Sequence, residues 1–157
     1  TRWSINSSGN LAATGAYGID FGQAPDSAAG ATGSVLNDYE EGTATISDSS
    51  GAGLTYTGAA CNYIKIGSQV TAWVKLTYPT TSNGNNSAIG GFPFAFGAND
   101  IDRVGGSLSF TTLNSALTVL PDNSTSLVRL RKLDGGTYTN AELSGKQVWF
   151  SVTYDVS

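Results

Sequence analysis

The chain has 157 residues, about the length of one domain, and its hydrophobic share of 39% is sufficient for a packed core. Its net charge of −4 argues against nucleic-acid binding, because proteins that hold phosphate backbones are usually basic. The sequence has no His, a single Cys61 and no apolar run near ~18 residues, which excludes imidazole catalysis, cysteine zinc sites and membrane insertion.

Residues 1–36 differ in composition from the rest of the chain. They are rich in Gly, Ala and Ser, and their few large apolar residues bury too little surface to fold alone. We interpret them as a stalk or connector that becomes ordered by association, with a boundary near 36–37. Since the chain begins at Thr1 and contains no Met, we expect it to be a piece of a longer protein.

Residues 37–157 carry the signals of β-strands and almost none of helices. Apolar and polar residues alternate, and turn signals such as NGNN, PDNS and DGG separate the runs. In chain order the predicted strands are 43–46, 54–56, 62–66, 69–78, 107–113, 116–120, 127–133 and 146–156. One face of the longer strands is polar, which is typical of sheets with one solvated side. The pattern predicts an all-β domain built as an antiparallel β-sandwich.

Three stretches of the chain resemble a known family. They are LNDYEEGTATI at 36–46, NYIKIGSQV at 62–70 and GGFPFAF at 90–96. In order and spacing they resemble the C-terminal receptor-binding domain of bacteriophage tail fibres and tailspikes, and the leading RWSINSSGNL is similar to units that precede such domains. The resemblance covers residues 1–96. Ala44, Thr45 and Ile46 depart from it, because the family usually continues there with an aromatic residue and a Pro-Thr step.

The resemblance implies a homotrimeric, jelly-roll-like sandwich at the fibre tip of the virion tail, joined to upstream fibre segments and made in the host cytoplasm. Its partner would be a bacterial surface polysaccharide or another host receptor. A second hypothesis is a structural trimerisation cap that binds no ligand. A third is a glycan-degrading enzyme; it is disfavoured because tailspike hydrolases generally carry their chemistry in a long upstream body. No catalytic residue is assigned.

The candidate ligand site lies on the polar strand faces. Trp73 and Trp149 stand opposite the aliphatic positions of their strands, where an indole can stack on a sugar or pack against a loop or subunit. Sugar recognition combines an aromatic plane, planar amides and a charge, so we expect a shallow site with the 82–86 loop at its rim. Arg129 and Arg131 share a face that suits an acidic sugar, or ion pairs with Asp134 and Glu142. The predicted ligand-binding residues are Trp73, Tyr78, Asn83, Asn85, Asn86, Arg129 and Arg131.

Other candidate residues are interpreted first as structural. Phe92, Phe94 and Phe96 alternate along 90–96 and predict a stripe in the core or at a trimer interface. Tyr63 and Lys65 belong to a strand that turns at Gly67, and Cys61 is expected to be a small buried residue. Asp100 and Asp102 share a face but lack the Gly and Glu placement of a calcium hand, so no metal site is predicted.

Overall fold

The computed structural model describes residues 39–99, 105–122 and 126–156, together with 3–5, 7, 11–13, 19–20 and 35–36. In the first 36 residues, β1 (Trp3–Ile5) pairs with β2 (Leu11–Ala13), and β3 (Ile19–Asp20) pairs with β4 (Val35–Leu36), both antiparallel. Apart from Ser7, the remainder of the predicted stalk lies outside the described residues, as do Asp100 and Asp102.

The rest of the described chain forms two antiparallel sheets. From one edge to the other, the strands of the five-stranded sheet are β10 (Gly105–Thr111), β13 (Gln147–Asp155), β8 (Gln69–Thr77), β7 (Thr57–Ile66) and β5 (Tyr39–Ala44). The four-stranded sheet consists of β11 (Leu117–Pro121), β12 (Val128–Lys132), β9 (Ile89–Gly90) and β6 (Ser47–Asp48). No helix occurs among the described residues, so the prediction of an all-β antiparallel sandwich is confirmed.

The core lies between the two sheets because strand residues alternate in direction. In β8 and β13 every second side chain is buried. Trp73 in β8 and Trp149 in β13 occupy intervening positions and remain exposed. The facing sheet contributes buried apolar residues from β9, β11 and β12. The inward set comprises Val70, Ala72, Val74, Leu76, Val148, Phe150, Val152 and Tyr154 from one sheet, and Ile89, Leu117, Val119, Val128 and Leu130 from the other. Burial of each large apolar side chain contributes about 1.5–3 kcal/mol.

The predicted strand at 54–56 is not present, and the strand predicted at 43–46 begins earlier, at Tyr39. The segment after β6 is a loop instead. The Asp48 carboxylate accepts hydrogen bonds from the backbone N–H groups of Ser50 and Leu54, at 2.9 and 3.0 Å. Burial alone would raise the pKa of Asp48, but the Ser50 hydroxyl and these backbone N–H groups together lower it. The apolar residues at 54 and 56 therefore indicate packing under a loop rather than a strand.

The 90–96 segment is also irregular, because β9 ends at Gly90. Phe92 and Phe96 lie in the core of the single chain, 6% and 1% exposed, with ring centroids 5.3 Å apart. Phe94 is only partly buried and meets the Tyr63 ring edge-on at 5.8 Å. Of the three rings in the predicted stripe, Phe94 alone keeps surface that a neighbouring subunit can contact.

Candidate functional site

The outer face of the five-stranded sheet is the most aromatic exposed surface of the described residues. Across the strands, Trp73 of β8 is paired with Asn62 of β7, and Lys75 of β8 is paired with Trp149 of β13. Trp149 is paired in turn with Phe110 of β10, so these side chains form adjacent rows.

A groove of about 470 Å³ runs between these rows. We call it the aromatic groove; it is lined by Ala60, Asn62, Trp73, Val74, Lys75, Ser109, Trp149 and Phe150. Ala60 and Ser109 are small, whereas the neighbouring indoles are large, and this contrast of size makes the depression.

The aromatic side chains of this face remain unusually accessible. Trp73 is 48% exposed, Trp149 44% and Phe110 43%, and the ring centroids of Phe110 and Trp149 are 5.0 Å apart. A contiguous exposed apolar surface of this kind is typical of a binding site or a subunit interface. The face is therefore suited to contact with another molecule.

Polar groups accompany the aromatic rings in the groove. Within the described part of the chain, the Lys75 ammonium group and the Asn62 amide have no ion-pair or side-chain hydrogen-bond partner. Both remain available for a ligand, one as a cation and the other as a planar donor and acceptor.

A second depression of about 480 Å³ adjoins the aromatic groove towards β5. We call it the edge depression; it is lined by Glu41, Gly42, Thr43, Asn62, Tyr63, Ile64 and Trp73. Trp73 and Asn62 belong to both, so they form the boundary between the two. Its charged residue is Glu41, whose carboxylate accepts a hydrogen bond of 2.9 Å from the Tyr39 hydroxyl.

The three stretches that carry the family resemblance meet at the β5 side of the core. The Tyr63 hydroxyl donates a hydrogen bond to the Glu40 carboxylate, which raises the pKa of Tyr63. Lys65 is only 6% exposed, and its Nζ lies 5.6 Å from the centroid of Phe94. We call Glu40, Gly42, Tyr63, Lys65 and Phe94 the motif cluster; its contacts are with other parts of the same chain.

Gly42 is required in the motif cluster because the Tyr63 ring covers it. A Cβ at this position would lie 2.9 Å from Tyr63 Oη and 3.0 Å from Cε1. We expect Gly42→Ala to lower the free energy of unfolding by about 1–3 kcal/mol, the usual effect of overpacking. Gly84→Ala is the matched control, since its Cβ would meet no atom within 4 Å. Equal urea midpoints for the two variants would contradict this account.

The structure corrects the assignment of Tyr78 to the ligand site. Its side chain is 1% exposed and packs edge-on against Tyr56, with ring centroids 5.0 Å apart. The alternation of β8 continues past its last residue, so Tyr78 points inward as Leu76 does. Burial raises the pKa of Tyr78 well above its usual value, and the ring cannot contact a surface ligand.

The three Asn residues of the 82–86 loop lie away from the aromatic groove, and none of them lines it. Asn83 Oδ1 accepts hydrogen bonds from the backbone N–H of Asn85 at 2.9 Å and from Asn140 Nδ2 at 3.0 Å. Asn85 Nδ2 donates to the carbonyl oxygen of Ser50 at 3.0 Å, and Asn86 forms a β-bridge with Thr139. The Asn83 and Asn85 amides therefore hold loops together, which differs from the predicted role at the rim of the site.

Arg129 and Arg131 lie on the other sheet and cannot join a site at Trp73. In β12 the alternate positions Val128 and Leu130 are fully buried, so the two Arg side chains face outward on the opposite side of the sandwich. Arg129 Nε donates to Asp122 Oδ2 at 2.8 Å. Its ion pair is therefore with Asp122 and not with either of the two acids considered from the sequence.

Glu142 pairs with Lys132, at 2.6 Å between Oε1 and Nζ. This ammonium group and the Thr139 backbone N–H hold the pKa of Glu142 at about 2. A carboxylate with a lowered pKa stabilises the folded state above its unfolded pKa, and the contribution disappears as pH falls through the folded pKa.

We therefore expect Glu142→Gln to melt at a lower temperature than the native chain at pH 7, with the difference shrinking between about pH 4.5 and 2. The effect is small because both side chains are partly exposed, 33% for Lys132 and 40% for Glu142, so that water screens the ion pair. Melting curves of both proteins from pH 2 to 7 measure it. A difference in melting temperature that is constant over this range would contradict the assigned ion pair.

Sequence reasoning placed Trp73 and Trp149 on polar strand faces but did not include Asn62, Ser109 or Glu41 in the site. Asn62 occupies an outward position between buried Cys61 and Tyr63, and that alternation is the signal that was available. The pairing of β7 with β8, which brings Asn62 beside Trp73, is non-local and has no sequence signal.

No group of three or more potential metal ligands occurs among the described residues. Nor does any helix there have the length and hydropathy to span a membrane. In comparisons of the chain with known proteins, no protein-family model, curated protein or solved structure matches it.

Proposed function

We propose that this chain binds carbohydrate through the aromatic groove, as the receptor-binding tip of a phage tail fibre or tailspike that attaches to a bacterial surface polysaccharide. The observation that carries the proposal is the pair of half-exposed indoles, Trp73 and Trp149, beside Lys75 and Asn62, whose side chains have no partner among the residues that the structure describes.

This combination of groups suits the chemistry of a sugar. One face of a sugar ring presents C–H groups that stack on an indole, while its hydroxyl groups need donors and acceptors. The groove supplies indoles that can stack on the C–H face, and the Asn62 amide and Ser109 hydroxyl that can bond to the sugar hydroxyl groups.

The site residues stand on strands rather than on loops. Trp73, Trp149 and Asn62 belong to β8, β13 and β7, the three interior strands of the five-stranded sheet. Neighbouring strands fix these positions, so little conformational entropy is lost when a ligand binds. A shallow site of this kind therefore gains affinity because its side chains are already held in place, and not because it encloses the ligand.

The fibre-tip assignment rests on the resemblance at residues 1–96 and on the motif cluster, in which all three resembling stretches take part. A homotrimer would present three aromatic grooves. If each site alone binds with a millimolar Kd, about 4 kcal/mol, repetition on a shared scaffold gives firm attachment without new contacts.

Trp73→Ala tests the proposal on a panel of bacterial surface polysaccharides. We expect binding to fall at least about tenfold, because removal of the indole takes away the stacking surface shared by both depressions. The melting temperature should change little, since the side chain is 48% exposed. Leu133→Ala is the matched control, since Leu133 is 73% exposed and does not line the groove. Undiminished binding by Trp73→Ala would overturn the proposal.

A second candidate function is the trimerisation cap, which the exposed aromatic face also favours because aromatic residues are enriched at interfaces. The same variant distinguishes the two functions. Light scattering of the native chain should give three times the mass of one chain in either case. If Trp73→Ala lowers that mass and the native chain binds no polysaccharide, the face is a subunit interface.

A further inference from the structure

The two depressions on the outer face carry opposite charges. The aromatic groove contains Lys75, whereas the edge depression contains Glu41. Lys75 lies on β8 opposite Ala60 of β7, and Glu41 lies on β5 opposite Ile64 of β7. Their backbones are therefore two strand spacings apart across the sheet, roughly 10 Å, and four residues apart along the strands, roughly 13 Å, so the line between them is diagonal. Trp73 and Asn62 belong to both depressions.

We propose that the two depressions form one site for an acidic oligosaccharide that crosses the strands, with its anionic sugar at Lys75 and an uncharged sugar beside Glu41. This inference rests on the proposed carbohydrate binding and adds to it the charge of the ligand and its direction on the sheet.

The environment of Lys75 indicates an anionic group at this end. Its neighbours on the adjoining strands are Ala60 and Trp149, and neither compensates its charge. Among the described residues no carboxylate lies within ion-pair distance of its ammonium group. In a protein of net charge −4, an unneutralised cation beside two indoles attracts an anion to this place rather than to the surface in general.

Glu41 fixes the direction of the ligand. A second anionic sugar in the edge depression would meet this carboxylate, and like charges at close range repel each other. A neutral sugar can instead donate its hydroxyl groups to Glu41 and to the Thr43 side chain.

The length of the surface matches more than one sugar ring. From Trp149 on β13 to Thr43 on β5, the face crosses three strand spacings, about 14 Å. Trp73 stands between the two ends, with Asn62 paired beside it. The indole is therefore placed to stack on the ring that joins the acidic sugar to the neutral one.

The test uses the full chain and a panel of bacterial polysaccharides that includes neutral, uronate-containing and phosphate-containing polymers. Each uronate polymer is paired with its carboxyl-reduced product, and each phosphate polymer with its dephosphorylated product. Lys75→Gln, Glu41→Gln and Lys146→Gln are compared with the native chain. Lys146→Gln is the control, because it makes the same change of charge outside both depressions.

We expect the native chain to prefer polymers with an anionic group, and Lys75→Gln and removal of that group each to weaken binding at least about tenfold. Glu41→Gln should strengthen binding of polymers with an acid in every sugar by a few-fold, and Lys146→Gln should change nothing. Loss on carboxyl reduction assigns a uronate, and loss on dephosphorylation assigns a phosphate.

Binding of neutral polymers that depends on Trp73 but not on Lys75 would overturn this inference and leave the proposed function intact. Binding of no polymer in the panel would overturn both. Equal losses for Lys75→Gln and Lys146→Gln would show a general effect of surface charge and would also overturn the inference.

Discussion

Gly91→Ala is expected to lower the free energy of unfolding by about 3 kcal/mol or more, a large part of the ~5–15 kcal/mol that stabilises a typical domain. Gly91 has a φ of 86°, in the left-handed region, which costs about 1–2 kcal/mol for a residue with a Cβ. That Cβ would also lie 2.0 Å from the carbonyl oxygen of Thr45. The backbone at the corner between β5 and β6 would have to move, because no side-chain rotation relieves this contact.

Gly51→Ala separates the two effects, since Gly51 has a φ of 77° and nothing within 4 Å of an added Cβ. Gly51→Ala should lower the free energy of unfolding only by the cost of the left-handed conformation, about 1–2 kcal/mol. Urea denaturation with a common m-value measures both variants. Equal losses would show that the contact with Thr45 is relieved without strain.

Phe96→Ala is expected to lower the free energy of unfolding by about 3–5 kcal/mol, the usual range for a buried Phe. The ring is 1% exposed, and its centroid lies 4.2 Å from that of Tyr154 and 5.3 Å from that of Phe92. Its removal leaves a cavity between the two sheets that these neighbours can fill only in part.

Phe94→Ala is the informative comparison, because Phe94 is partly buried and contacts the core from its edge. We expect a smaller loss of stability than for Phe96→Ala. Light scattering adds a second measurement. If the Phe94→Ala variant forms an oligomer of lower mass than the native chain, the Phe94 ring is a subunit contact. A Phe96→Ala protein as stable as the native chain would contradict the place of Phe96 in the core.

The fold was predictable from sequence where alternation is long. The runs at 69–78 and 146–156 became β8 and β13, because a strand with one buried and one solvated face must alternate apolar and polar residues. The two-residue strands β6 and β9 are too short for any alternation, and their pairing depends on the rest of the sheet. Pro93 and the left-handed Gly91 help to explain why 90–96 is not a strand although its aromatic residues alternate.

The sequence predicted which side chains of a single strand face outward, but not which strands lie together in the candidate site. Alternation places Trp73 and Lys75 outward, but it does not specify which sheet contains a given strand. Arg129 and Arg131 were predicted in the same set of ligand-binding residues as Trp73, and the structure puts them on the opposite face of the sandwich. Tyr78 has the inward parity of Leu76, so the alternation itself argued against its inclusion.

The position of β13 affects how the domain is made. It lies between β10 and β8 in the sheet, although both precede it in the chain. While the chain is being synthesised, the β8 edge of the β7–β8 hairpin therefore stays unpaired until β13 emerges. Such non-local pairing folds slowly, and an unpaired strand edge can associate with another chain. Any pause in translation before residues 147–155 emerge prolongs this exposure and favours aggregation of the nascent chains.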